Sequence, residues 1–181
     1  MTSSDSQTTQ LADISARLQT EYVGGPAGNP WAGSPFAWIR TRPSRQRGKI
    51  GEQLTARWCA ANGFRVGRAG DSEADRMIGG RRFEIKLSTL WESGVYKFQQ
   101  FRDQDYEYAI CLGISPQVVH CWVISKVELL RHVIGHTPQH TGAGGTETFW
   151  LSFPADQHPA WLEPCGGSLA RALEILKLVC R

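Results

Sequence analysis

The stretch "EADRMIGGRRFEIKLST", residues 73–89, constrains this chain more than any other. Gly79-Gly80 separates two strand-prone halves, and two-residue glycine turns suit β-hairpins because the favoured turns need positive φ. Closing the hairpin there pairs Ile78 with Arg81, Met77 with Arg82, Arg76 with Phe83 and Asp75 with Glu84. Asp75 and Glu84 then stand opposite each other on one face, with Cβ atoms about 4.5–5.5 Å apart. Lys86 shares that face by strand alternation and is expected opposite Glu73. Phe83, Ile85 and Leu87, with Ile78 and Ala74, form the apolar face.

Facing carboxylates repel, and a sheet needs a remedy for that. One acid holds a proton, Lys86 and Arg82 neutralise the pair as a salt-bridged surface hairpin, or a divalent cation bridges the two. The last is how Mg²⁺ is held, by one or two carboxylates with several retained waters. A lysine beside such a site is placed to assist a water or to stabilise charge developing on a phosphate.

What precedes the hairpin adds to this. Ser44 as N-cap and Asn62-Gly63 as C-cap bracket a helix over 45–61. Ile50, Leu54, Trp58 and Ala61 form its apolar stripe. Glu52 lies on another side beside small residues, Ala56 and Cys59, which would let the helix approach a sheet and point a carboxylate into it. Net charge is only +3, yet residues 36–68 hold eight cations against one acid, a local excess of seven. The run "RTRPSRQRGK" contributes Arg40, Arg42, Arg45, Arg47 and Lys49, a surface suited to phosphate backbones.

The remaining chain reads as a helix over 10–23, a Gly/Pro loop over 24–35 and a short strand at "FAWIRTR". Strands follow at 64–66, 106–114 and 118–125, then a helix at "KVELLRHVI", a loop at "HTGAGGTE", a strand at "TFWLSF" and a closing helix at "SLARALEILKLV". The class is α/β (α+β), a single domain with a central mixed β-sheet flanked by helices. Residues 1–35 form an N-terminal helix and loop, and 36–181 the main domain, with a core at 45–125 and an extension at 126–181. The five cysteines lack CxxC pairs and read as buried free thiols. His132, His136 and His140 recur at helical spacing, but Gly135 and Pro138 break the helix that would align them for a metal. No apolar run suits a membrane span and no signal peptide is visible, so a cytoplasmic protein is expected.

"GKIGEQLTARWCAANGF" followed by "ADRMIGGRRFEIK" resembles the core of the PD-(D/E)XK nuclease superfamily, in which a glutamate-bearing helix precedes an Asp strand and a Glu-x-Lys strand. "KFQQFRDQDYEYAICLGI" is similar to the segment that returns to the sheet in restriction-enzyme members. The resemblance spans 45–125 and implies a restriction-endonuclease-like fold. It implies catalytic residues Asp75, Glu84, Lys86 and Glu52, with Asp75 and Glu84 as ligands of Mg²⁺ (Mn²⁺ substituting), Lys86 near the attacking water and Glu52 an accessory acid. Ala74 stands where the motif's proline would be. Asp71 is the rival metal ligand, on the same face but farther from Glu84. Gln99, Gln100 and Arg102 join the five cations of 40–49 as candidate DNA contacts. The implied activity is that of a type II restriction endonuclease cutting double-stranded DNA as a homodimer, with a companion methyltransferase of the same recognition sequence. A structure-specific repair or recombination nuclease and a non-catalytic DNA-binding module are the alternatives.

Overall fold

Gly79 and Gly80 have φ of +56° and +86°, so the turn takes the form with two left-handed residues that matches the twist of paired strands. The computed structural model describes residues 29–138 and 148–181, together with Ala12 and Ile14, which are helical. The rest of the expected helix over 10–23 and residues 139–147, His140 included, lie outside the described residues.

The elements are α1 (Ala37–Arg40), α2 (Ser44–Ala61), β1 (Val66–Gly67), β2 (Arg76–Ile78), β3 (Arg81–Thr89), β4 (Val95–Phe101), β5 (Tyr108–Ile114), β6 (Val119–Ser125), α3 (Lys126–His132), β7 (Phe149–Pro154), a 3₁₀ turn (Ala160–Cys165) and α4 (Leu169–Val179). Five strands form one sheet in the order β1-β2-β3-β5-β6. β3 and β5 are parallel and the other neighbours antiparallel, giving the mixed central sheet of an α+β domain flanked by helices. β5 is buried along nearly its whole length, as a strand covered on both faces must be.

Alternation along the strands builds two cores. Ile78, Phe83, Ile110, Leu112 and Val123 pack with Cys59 of α2 and with Ala172 and Leu176 of α4. Ala109, Cys111, Trp122 and Ile124 face the other way, against Tyr96 and Phe98 of β4, Leu151 and Phe153 of β7, and Leu129 of α3. No helix among the described residues is long and apolar enough to cross a membrane. All five cysteines are free, four of them buried.

Four local expectations change. "FAWIRTR" is helical at Ala37–Arg40, because three-residue hydrogen bonds from Ala37 to Ser34 and from Ile39 to Phe36 turn the chain and bury Ile39. "KFQQF" does not return to the main sheet. It is β4, which pairs with β7 in a separate two-stranded ribbon, while β5 makes the return. On α2 the buried line is Gly51, Thr55 and Cys59, with Ile50, Leu54 and Trp58 half-buried beside it and Ala61 exposed. A Cβ on Gly51 would stand 2.5 Å from Leu87 Cβ, so only glycine lets the helix lie this close to β3. Finally, Ala74 packs in the ribbon-side core, not with Phe83 and Ile78.

Candidate active site

The hairpin ladder runs in the expected register from Ile78↔Arg81 to Arg76↔Phe83. At Asp75 it slips. The Asp75 N–H donates to Phe83 O at 3.0 Å, a carbonyl already opposite Arg76, and this slip turns Ala74 to the ribbon side. The Asp75 side chain is fixed by accepting the Ile85 N–H on Oδ2 at 2.7 Å. The expected Asp75↔Glu84 ladder pair is not formed, yet the Asp75 carboxyl still lies close enough to Glu84 to raise that group.

Glu84 and Lys86 lie beside Ala109 and Cys111 of β5, two small neighbours that leave room above the sheet. Glu84 is only 8% exposed. Its carboxyl is held above the ordinary range chiefly by burial and then by Asp75, against the pull of Lys86. Lys86 Nζ donates to Glu84 Oε1 at 2.5 Å and to the Gln100 carbonyl at 2.9 Å. The expected Lys86–Glu73 pairing does not form, because the ladder ends before Glu73. Glu73 Oε2 instead accepts the Asp105 N–H.

Glu52 reaches the same place from α2. Its carboxyl is also raised, first by burial and then by Asp75, while Arg76, Lys49 and Lys86 pull the other way. Arg76 ties the group together, with Nη2 3.3 Å from Glu52 Oε2 and Nη1 donating to the Asp75 carbonyl at 2.7 Å. Sequence reasoning missed this arginine, although strand alternation already put it on the α2 side of the hairpin. Arg82 does not neutralise the acid pair. It turns to Asp71 and the Asp105 carbonyl. Asp71, paired with Arg82 at 2.7 Å, is not among the cleft-lining residues.

Asp75, Glu84, Lys86 and Glu52 all line one cleft of about 840 Å³. Arg45, Arg47 and Lys49 from the start of α2 line it on one side, and Lys97, Gln99, Gln100 and Arg102 from β4 and beyond on another. Arg40 and Arg42 are not in its lining. Arg40 sits 5.1 Å over the Trp31 ring and 3.8 Å from Glu92, and Arg42 donates to Thr41. Trp91 is 47% exposed at the cleft, with Lys97 Nζ 4.0 Å over its ring. The signal for β4 was present in its alternation of Tyr96 and Phe98 with Lys97 and Gln99.

Among the described residues no group of three or more His, Cys, Asp and Glu side chains closes around a metal position. Mg²⁺ takes one or two carboxylates and completes its shell with water and substrate oxygens, a donor set that Asp75 and Glu84 would provide. Asp75 and Glu84 would supply hard oxygen donors, and a dication held by them would offset the Asp75 contribution that, after burial, raises Glu84.

No protein-family model matches the chain, and no curated protein matches it. Among solved structures it is similar to a bacterial homing endonuclease, I-Ssp6803I, at 13% identity and a TM-score of 0.48, covering 76% of this chain and 96% of that one. At so low a TM-score and identity, only the site's own residues bear on function.

Proposed function

We propose that the protein is a Mg²⁺-dependent endonuclease that hydrolyses backbone phosphodiesters of double-stranded DNA at a specific sequence, as type II restriction enzymes do. The observation that carries this reading is the convergence of Asp75, Glu84 and Lys86 in a cleft walled by Arg45, Arg47 and Lys49. Asp75 and Glu84 hold the metal, and Mn²⁺ can take its place. When bound, the ion contributes Lewis acidity and a water of lowered pKa.

The chain's own groups do the rest. Lys86, fixed by Glu84 and Gln100, carries an ammonium with a third N–H for the nucleophile or the phosphate oxygen it attacks. Glu52, with its proton affinity raised, is the accessory acid beside Asp75. The cations of α2 hold phosphates and set the position of the duplex, a role without sequence information. Base edges are left to Gln99, Gln100 and Arg102 on the facing wall, whose amides and guanidinium can pair bidentately with adenine and guanine in the major groove. Cutting both strands takes two such sites, so the enzyme acts as a homodimer, and a restriction role calls for a companion methyltransferase.

Incubation with plasmid DNA tests the reading. Discrete fragments with Mg²⁺ or Mn²⁺ support it. Binding without cleavage in both metals would convert the protein to a DNA-binding module, and cutting confined to branched or mismatched DNA to a repair nuclease.

A further inference from the structure

Gln100 is, among the described residues, the one residue other than glycine with positive φ, at +62°. Left-handed backbone is unfavourable for a residue with a Cβ and is kept only where the surroundings impose it, most often at functional sites. Here the surroundings are an irregularity in the β4–β7 ribbon. Phe98 pairs with Leu151 and Phe101 with Phe149, so three steps along β4 match two along β7 and β4 carries one extra residue. Such a bulge re-aims the backbone next to it, and its left-handed position is ordinarily filled by glycine.

The ribbon is anchored on both sides of the irregularity. Tyr96, Phe98 and Phe101 are fully buried, and the Lys97 N–H donates to Ser88 Oγ of β3 at 2.9 Å. The bulge itself sits over the end of Lys86. The Gln100 carbonyl accepts Lys86 Nζ at 2.9 Å, and the Phe101 ring lies 5.6 Å from the same ammonium.

We propose that the β4 bulge is a backbone clamp for Lys86, with Gln100 as its positioning residue: the left-handed turn at Gln100 delivers a carbonyl that holds the ammonium over the acid pair. Two separate elements then fix the lysine, β3 through Glu84 and the ribbon through Gln100. The side chain is otherwise a long, four-carbon stem whose end would sample several positions. The contact is made by the backbone carbonyl, so the conformation that residue 100 permits decides the clamp. The inference rests on the endonuclease reading for its catalytic consequence, not for the clamp itself.

The test compares Gln100→Gly, which permits the left-handed turn, with Gln100→Val, which opposes it. Single-turnover cleavage in Mg²⁺ is measured beside DNA affinity in Ca²⁺, with the Lys86 ¹⁵Nζ resonance recorded in the free proteins. The clamp predicts that Gln100→Val cuts at least tenfold more slowly than Gln100→Gly at saturating DNA, the two variants both lacking the amide and binding DNA within about threefold of each other. It predicts a Lys86 Nζ signal that moves in Gln100→Val and not in Gln100→Gly. Wild-type cleavage by Gln100→Val, or an equal loss in both variants, would overturn it. If wild type cuts no DNA in Mg²⁺ or Mn²⁺, the endonuclease reading fails, and the Nζ signal alone decides the clamp: an unmoved signal in Gln100→Val overturns it.

Discussion

Gly51 on α2 and Leu87 on β3 meet so closely that a single added Cβ would stand 2.5 Å from its counterpart. The next residue along the helix is Glu52, so this contact sets how deeply that carboxylate enters the cleft. Gly51→Ala should therefore destabilise the fold by about 1–3 kcal/mol, the usual cost of overpacking, read from denaturant unfolding. Its residual activity should fall more than its stability at working temperature explains. Wild-type unfolding would show that α2 can shift without cost.

Arg76 joins Glu52 to the Asp75 backbone. A double-mutant cycle of Arg76→Ala and Glu52→Gln should give a coupling of about 0.5–3 kcal/mol in transition-state stabilisation, the range for groups in one network. Additive effects would mean that the ion pair does not orient the acid.

Arg45, Arg47 and Lys49 should act through phosphates alone. Arg45→Ala with Arg47→Ala is expected to weaken binding and lower the slope of log K against log salt by about 2, roughly 0.9 for each phosphate no longer neutralised. Cleavage at saturating DNA and the cut sequence should be retained. An unchanged slope would place both arginines on ordinary surface.

The acid pair gives a pH prediction with a definite sign. Glu84 titrates above its ordinary 4.5, so the native state keeps a proton that the unfolded chain has released. Metal-free wild type should thus lose stability relative to Glu84→Gln as pH rises from that value through the raised one. Mg²⁺ should restore wild type above this window and leave Glu84→Gln unmoved, since a ligand of the ionised native pair stabilises only the protein that has it. Thermal melts across pH, with and without Mg²⁺, measure both effects. A difference curve that rises with pH would contradict the assignment.

The hairpin was legible because its determinants are local. Two glycines and strict alternation place Glu84 and Lys86 on one face and Phe83 on the other, and the observed register follows. The mixed sheet was legible from the apolar runs of β5 and β6. What could not be read depends on partners distant in sequence. The slip at Asp75 and the failed Lys86–Glu73 pairing arise where the Asp75 side chain captures the Ile85 N–H. The helical turn at Ala37–Arg40 is set by the burial of Ile39, against the local strand propensity. The bulge at Gln100 has no glycine to announce it, and its meaning comes only from Lys86, 14 residues earlier in the chain. Arg40 and Arg42 belong to the same basic run as Arg45, but the turn after α1 carries them out of the cleft lining.

The central claim is that Asp75, Glu84 and Lys86 together hydrolyse DNA. It is tested most directly by digesting plasmid DNA with Mg²⁺ using wild type, Glu84→Ala and Lys86→Ala in parallel, and sequencing the fragment ends. Wild type should give discrete ends that share one sequence and carry 5′-phosphates. Both variants should keep wild-type circular dichroism and bind DNA, yet cut at least about 10²–10³-fold more slowly, the scale for losing a preorganised electrostatic group. Cleavage by either folded variant at the wild-type rate would contradict the account.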